Sequence, residues 1–327
     1  MTSEASARAR ALVAERMPAA RGLGTALAEL IDDPEAFVAV LREGFTELAD
    51  PEYAAEQERV APGSGKLFGA RWPLINAVAG ALRRPLAEAS PASALWLAQR
   101  LAGEEERELR LFSHVGLRRS LPDDPERSWQ LMRRLARAAG DWVSVDSLAG
   151  LYAEGIMAEP FRWAELEQLV YSRDRWERRL VASTVATIPF RLPRHRRREL
   201  RASPGLMLIE SLIGDAEAVV QKALSWALRS WHEVDPAGVS DFLRRQADSA
   251  LATDDGHRAW VVRDALTLPA LDRRLVRELR ARLSGVRRVD AAPPTSAAWQ
   301  VASAFAGLDE LSERAVALQG ERMGRGR

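Results

Sequence analysis

The chain has 327 residues, 47% hydrophobic and 28% charged, with 47 basic against 46 acidic side chains and no cysteine. A chain of this make-up buries a sizeable core, and the missing thiols exclude disulfides, thiolate catalysis, iron–sulfur clusters and sulfur-ligated zinc. The four histidines, His114, His195, His232 and His257, stand far apart, so no histidine metal centre is expected, and no apolar run reaches the roughly 20 residues of a membrane span.

The balanced charge hides an uneven spread. Residues 1–50 carry 5 basic and 9 acidic side chains, whereas 151–200 carry 10 and 7, and 251–327 carry 13 and 10. Lys66 and Lys222 are the two lysines; every other basic residue is arginine. Codon bias alone accounts for such a preference, although arginine is also the better bidentate partner for phosphate. Charge permits a nucleic-acid partner without demanding one.

In chain order, the sequence phrases as helix throughout. The Ala- and Arg-rich stretch Met1 to Leu30 could pass for a transit peptide, but Glu4 and Glu15 favour a leading helix. Apolar residues then recur at three- and four-residue steps, as in Ala94, Leu97, Ala98, Leu101 and again in Leu131, Leu135, Ala138. Breaks are expected at Asp50-Pro51, Pro62-Gly63, Ser90-Pro91, Pro122 to Pro125, Gly155, Pro189, Ser203-Pro204-Gly205, Asp235-Pro236 and Leu268-Pro269. Ser90-Pro91 and Asp235-Pro236 each set a capping residue before a first-turn proline, a helix-start signal.

The spacing predicts an all-α fold of stacked helix pairs, a HEAT-like helical-repeat solenoid, in preference to a globular bundle. Residues 1–49 read as an N-terminal helical extension and 50–285 as the repeat domain. Residues 286–327 hold the Ala291-Ala292-Pro293-Pro294 linker, a last helical stretch from Trp299 to Leu318, and a polar end from Gly320 to Arg327.

Pro62-Gly63-Ser64-Gly65-Lys66 has the look of a phosphate loop. Val60 stands where the first glycine belongs, Leu67 where Ser or Thr would bind magnesium, and no strand precedes it. Nucleotide binding is rejected. The ten tryptophans are more telling, because several stand beside charges. Trp142 and Asp146 are four apart and share a helix face; Lys222, Trp226 and Arg229 do the same at i, i+4 and i+7, and Trp176 leads into Glu177-Arg178-Arg179. Each alone reads as a half-buried packing aromatic; three in order on consecutive helices are harder to dismiss.

These segments resemble the AlkD-like DNA glycosylases, the bacterial DNA alkylation repair family of HEAT-like repeats, from about Asp50 to Gly285. Phe68-Gly69-Ala70-Arg71-Trp72-Pro73 is similar to the family's phenylalanine-glycine-valine-x-x-proline segment, and Asp141 to Asp146 to its tryptophan-x-x-x-aspartate motif. Glu104 to Arg107, Arg175 to Ala182 and Lys222 to Arg229 continue the likeness.

The resemblance implies a concave DNA-binding face and excision of cationic alkylated purines, of the N3-methyladenine and N7-methylguanine class, from duplex DNA. By position, Trp142, Asp146 and Trp226 match the family's catalytic cluster, and Arg179, with Arg178 as the alternative, its characteristic arginine. Lys222 and Arg229 are expected at DNA, and the run Arg194, Arg196, Arg197 reads either as a solvated loop or as a phosphate clamp. No cofactor or metal is expected; the chain reads as a cytoplasmic, nucleoid-associated monomer. Two other readings stay open, a DNA-binding relative without excision activity and a protein–protein scaffold.

Overall fold

The computed structural model describes residues 3–305, so the expected helix is described only as far as Phe305, and the polar end at Gly320 to Arg327 lies outside the described residues. The described residues form two compact units, Met1–Glu159 and Pro160–Arg327. They contain α-helices, short 3-10 turns and isolated β-bridges, and no strand.

The first unit holds α1 (Ser3–Ala28), α2 (Pro34–Glu47), α3 (Pro51–Val60), α4 (Trp72–Glu88), α5 (Pro91–Ala102), α6 (Arg107–Ser120), α7 (Pro125–Ala138) and α8 (Trp142–Ala158). Most starts are set by a side chain that satisfies otherwise orphaned N–H groups: Asp33, Asp50, Ser90, Asp124 and Asp141 all accept from the first turn. Packing then runs in two rows. Helices α1, α4, α6 and α8 follow one another in one row, and α2, α5 and α7 in the other, with α1 on α2, α5 on α6 and α7 on α8 joining them. This is the layering of a helical-repeat fold. The rings of Phe37, Phe45 and Phe112 meet between the rows, Phe45 and Phe112 edge-to-face at 5.8 Å.

The second unit repeats the scheme with α9 (Arg162–Glu167), α10 (Arg175–Thr187), α11 (Ser203–Leu212), α12 (Ala218–Trp231), α13 (Pro236–Thr253), α14 (Gly256–Ala265), α15 (Arg273–Arg282) and α16 (Ala297–Ala304). Here α10, α12 and α14 form one row and α13 packs on α15 in the other, while α11 bridges α10 and α12. The Trp231 indole N–H donates to the Val185 carbonyl at 2.7 Å, locking α12 to α10.

One detail departs from the sequence reading. The break expected at Gly155 is absent; α8 runs on to Ala158 and stops before Glu159-Pro160, where proline disfavours helix in the preceding residue. Gly155 is there to admit the Trp129 ring, which lies within 2.8 Å of where a Cβ would be. Residues 50–285 run through both units. Helices α1 and α2, read as an extension, pack into the first unit on α4 and α5.

Candidate nucleic-acid interface

All the catalytic candidates, and Arg178, Arg179, Lys222 and Arg229 with them, fall on one row of each unit, on α8 in the first and on α10 and α12 in the second. Asp141 fixes the start of α8: one carboxylate oxygen accepts from the Val143 and Ser144 N–H groups at 2.9 and 3.0 Å, the other from the Ser144 hydroxyl at 2.6 Å. That cap places Trp142 at the first helical position and Asp146 one turn on. Val145, Leu148, Ala149 and Tyr152 fill the buried face, which leaves Trp142 exposed and Asp146 half-buried along the remaining edge. The Trp142 indole N–H donates to the Val60 carbonyl at 3.2 Å, so the ring is held at its polar edge while the side chain remains exposed.

In the second unit, α12 buries Val220, Ala223, Leu224, Ala227, Leu228 and Trp231 at helical spacing. Lys222, Trp226 and Arg229 form the complementary stripe. Lys222 is exposed and makes no ion pair or hydrogen bond among the described residues; Trp226 is half-buried. One nitrogen of Arg229, Nη1, donates to the Asp264 carboxylate at 3.2 Å and to the Thr267 hydroxyl at 3.1 Å. Asp264 also receives the Ser225 hydroxyl, so it orients Arg229 from the neighbouring helix α14. Nothing in the local pattern around Arg229 announces Asp264.

The two arginine candidates on α10 separate clearly. Arg178 forks onto buried Asp215 at 2.6 and 3.4 Å and donates to the Ser172 and Arg173 carbonyls, which uses its guanidinium inside the fold. Arg179 is buried and donates to the Val219 carbonyl at 2.5 Å, linking α10 to the start of α12.

Between α10 and α11 lies the basic run, in two 3-10 turns, Ile188–Arg191 and Arg194–Glu199. Arg196 pairs with Glu199 at 2.9 Å, and Arg197 with Glu233 while its guanidinium lies 4.6 Å from the Phe190 ring centre. Arg194 projects, 88% exposed.

The phosphate-loop look-alike is accounted for. Ser64 is buried, its carbonyl accepts from Arg110 at 2.5 Å and its hydroxyl from Arg107 at 2.9 Å, while Lys66 pairs with Glu105. The loop offers acceptors to arginines, the reverse of a phosphate cradle. In the Phe68 to Pro73 segment, Gly69 adopts φ +81° and its N–H donates to the Glu108 carboxylate at 2.8 Å; a Cβ there would strike the Asp50 carbonyl at 2.4 Å. Burial pushes the Asp50 carboxyl up, but the Arg71 hydrogen bond and the N–H groups of Tyr53 and Glu52 outweigh it and hold the group below its usual range.

Sequence reasoning missed one feature of the first unit. A cavity of about 220 Å³ opens between the Gly63 to Gly65 loop, α6 and the start of α8, and His114 lines it. Burial, with Arg118 nearby, holds the His114 imidazole down at about 4, so it is neutral at pH 7. An unfolded histidine titrates near 6.5, so between pH 6.5 and about 4 the unfolded chain takes up a proton that the folded chain refuses. Stability is therefore expected to fall by about 3 kcal/mol as the pH drops through that window. Urea unfolding at pH 7 and pH 4.5 checks this: His114→Leu should show a shallower fall than the wild type, and an equal fall contradicts the assignment.

The sequence profile of the family described as DNA alkylation repair enzyme matches residues 41–268, more than two thirds of the chain and every catalytic candidate in it. The chain belongs to that family. A solved structure described as a predicted DNA alkylation repair enzyme from Enterococcus faecalis is similar at 15% identity and a TM-score of 0.47, covering 72% of this chain and 97% of that one. No curated protein matches the chain. Membership places the protein in the repair of alkylation damage in DNA, which makes DNA the partner against which these residues are to be read. None of the described helices is long and apolar enough to cross a membrane.

Proposed function

We propose that the protein is a monofunctional DNA glycosylase that hydrolyses the N-glycosidic bond of cationic alkylated purines in duplex DNA. The observation that carries the proposal is the capped start of α8, which sets a half-buried carboxylate, Asp146, one turn beyond an exposed, tethered indole, Trp142, in a chain of the alkylation repair family.

The chemistry asks little of such a site. An alkylated purine already carries positive charge, so when the bond from C1′ to the base nitrogen breaks, the electron pair neutralises the base and no general acid is needed. The sugar is left as an oxocarbenium ion. Asp146 balances that charge and accepts the proton of the water that attacks C1′. Trp142, beside Asp146, offers a π face to a cationic base or to sugar C–H edges, worth about 0.5 to 2 kcal/mol, and Trp226 offers the same kind of contact in its own unit. Lys222, with its ammonium unpaired among the described residues, and the outward edge of Arg229 meet phosphates.

The binding half of the proposal is tested by duplex affinity across salt. Affinity should fall steeply from low to moderate salt, and Lys222→Gln should reduce the slope of log K against log salt by about 1 at every sequence tried. Salt-independent binding, or none, contradicts it. The excision half is tested by release of free base from methylated duplex, and absence of release contradicts it.

A further inference from the structure

The segment 188–202, which joins α10 to α11, contains six arginines, at 191, 194, 196, 197, 198 and 201, against one acid, Glu199. In a chain with a net charge of +1 this is one of two such strongly positive stretches, the other lying within 273–288. The structure sorts these arginines by what they already hold. Arg196 is taken up by Glu199, and Arg197 by Glu233 and the Leu192 carbonyl. Arg198 and Arg201 are exposed and make no ion pair or hydrogen bond among the described residues, and Arg194 reaches Glu233 only at 3.9 Å.

Amid these charges Phe190 is 44% exposed. It is not simply stranded in solvent. The Arg197 guanidinium, itself anchored by Glu233, lies over the ring at 4.6 Å from its centre.

We infer that segment 188–202 is a nucleic-acid contact element in which Arg194, Arg198 and Arg201 clamp backbone phosphates and the exposed Phe190 ring stacks on a base or sugar of the bound DNA. An exposed aromatic ring backed by an anchored guanidinium, on a segment that also carries the exposed Arg194, Arg198 and Arg201, suits a polyanion that also presents flat π faces; an acidic peptide offers only the charge. A lipid surface would ask for a continuous apolar face, and these short turns present one exposed ring. Arg196 and Arg197 act as positioning residues, the first holding Glu199 and the second backing Phe190. The inference rests on the reading of the chain as a DNA-binding protein and not on the excision chemistry.

The test is binding of undamaged duplex DNA by the full chain across a salt series, followed by fluorescence anisotropy. The triple variant Arg194→Gln, Arg198→Gln, Arg201→Gln should lower affinity about tenfold or more at low salt and reduce the salt slope by about 3. A control that removes the same charge from the other row, Arg244→Gln, Arg274→Gln, Arg277→Gln, should leave the slope unchanged. Phe190→Ala should weaken binding about tenfold with the slope intact, because stacking releases no counterions. Steep salt dependence in the wild type with no change in the triple variant overturns this inference alone. Equal losses in the control triple overturn it too, since they make the effect one of net charge. Wild-type failure to bind duplex overturns it together with the binding half of the proposed function, and binding to anionic phospholipid vesicles in place of duplex would reassign the element to a membrane surface.

Discussion

Replacing Asp146 by asparagine is expected to lower the rate of N7-methylguanine or N3-methyladenine release by roughly 10² or more, the scale of losing one preorganised electrostatic group. The substitution keeps the size of the side chain and removes the charge that would balance the sugar cation. Duplex affinity and the circular dichroism spectrum should stay at wild-type values, since the start of α8 is set by Asp141 and its buried face by Val145, Leu148 and Ala149. Trp142→Ala and Trp226→Ala should cost less in rate and more in discrimination between lesions, because each removes contact area and a π face but no charge. Equal release rates for wild type and Asp146→Asn would sink the catalytic assignment.

The second large effect is on stability. Arg178→Ala is expected to destabilise the fold by about 3 to 5 kcal/mol, because it strands the Asp215 carboxylate where water does not reach it. It also removes donors from the Ser172 and Arg173 carbonyls. Lys222→Gln on the next helix of the same row is exposed and should change stability by no more than about 0.5 kcal/mol. Urea denaturation of the two variants separates a structural arginine from a surface cation. If Arg178→Ala unfolds at the wild-type midpoint and instead loses DNA affinity, the division between them is wrong.

That division shows where the sequence stops being legible. Helix starts could be read because capping is local: Asp50, Ser90 and Asp235 act on N–H groups two or three residues away. The pairing of Trp142 with Asp146 and the stripe of Lys222, Trp226 and Arg229 could be read for the same reason, since one helix face is a matter of spacing. What could not be read depends on partners distant in the chain. Arg178 and Arg179 are adjacent and chemically identical, yet Arg178 forks onto Asp215 and Arg179 reaches Val219, 37 and 40 residues on. Arg196 and Arg197 looked the same as Arg198 until Glu199 and Glu233 took them up. Gly155 read as a break because the Trp129 ring that needs it lies on another helix. The His114 cavity forms where the Gly63 to Gly65 loop meets residues of α5, α6, α7 and α8, and no single stretch of sequence carries it.

The claim at the centre of this account is that the bond broken lies between sugar and base. The measurement that tests it most directly is the identity of the products formed from a duplex carrying a single N7-methylguanine, by mass spectrometry of both the small-molecule and the DNA fractions. Free N7-methylguanine is expected together with an intact strand bearing one abasic site, and no product from the same duplex unmodified. A strand restored to unmodified guanine, or an excised nucleotide in place of a free base, would contradict it.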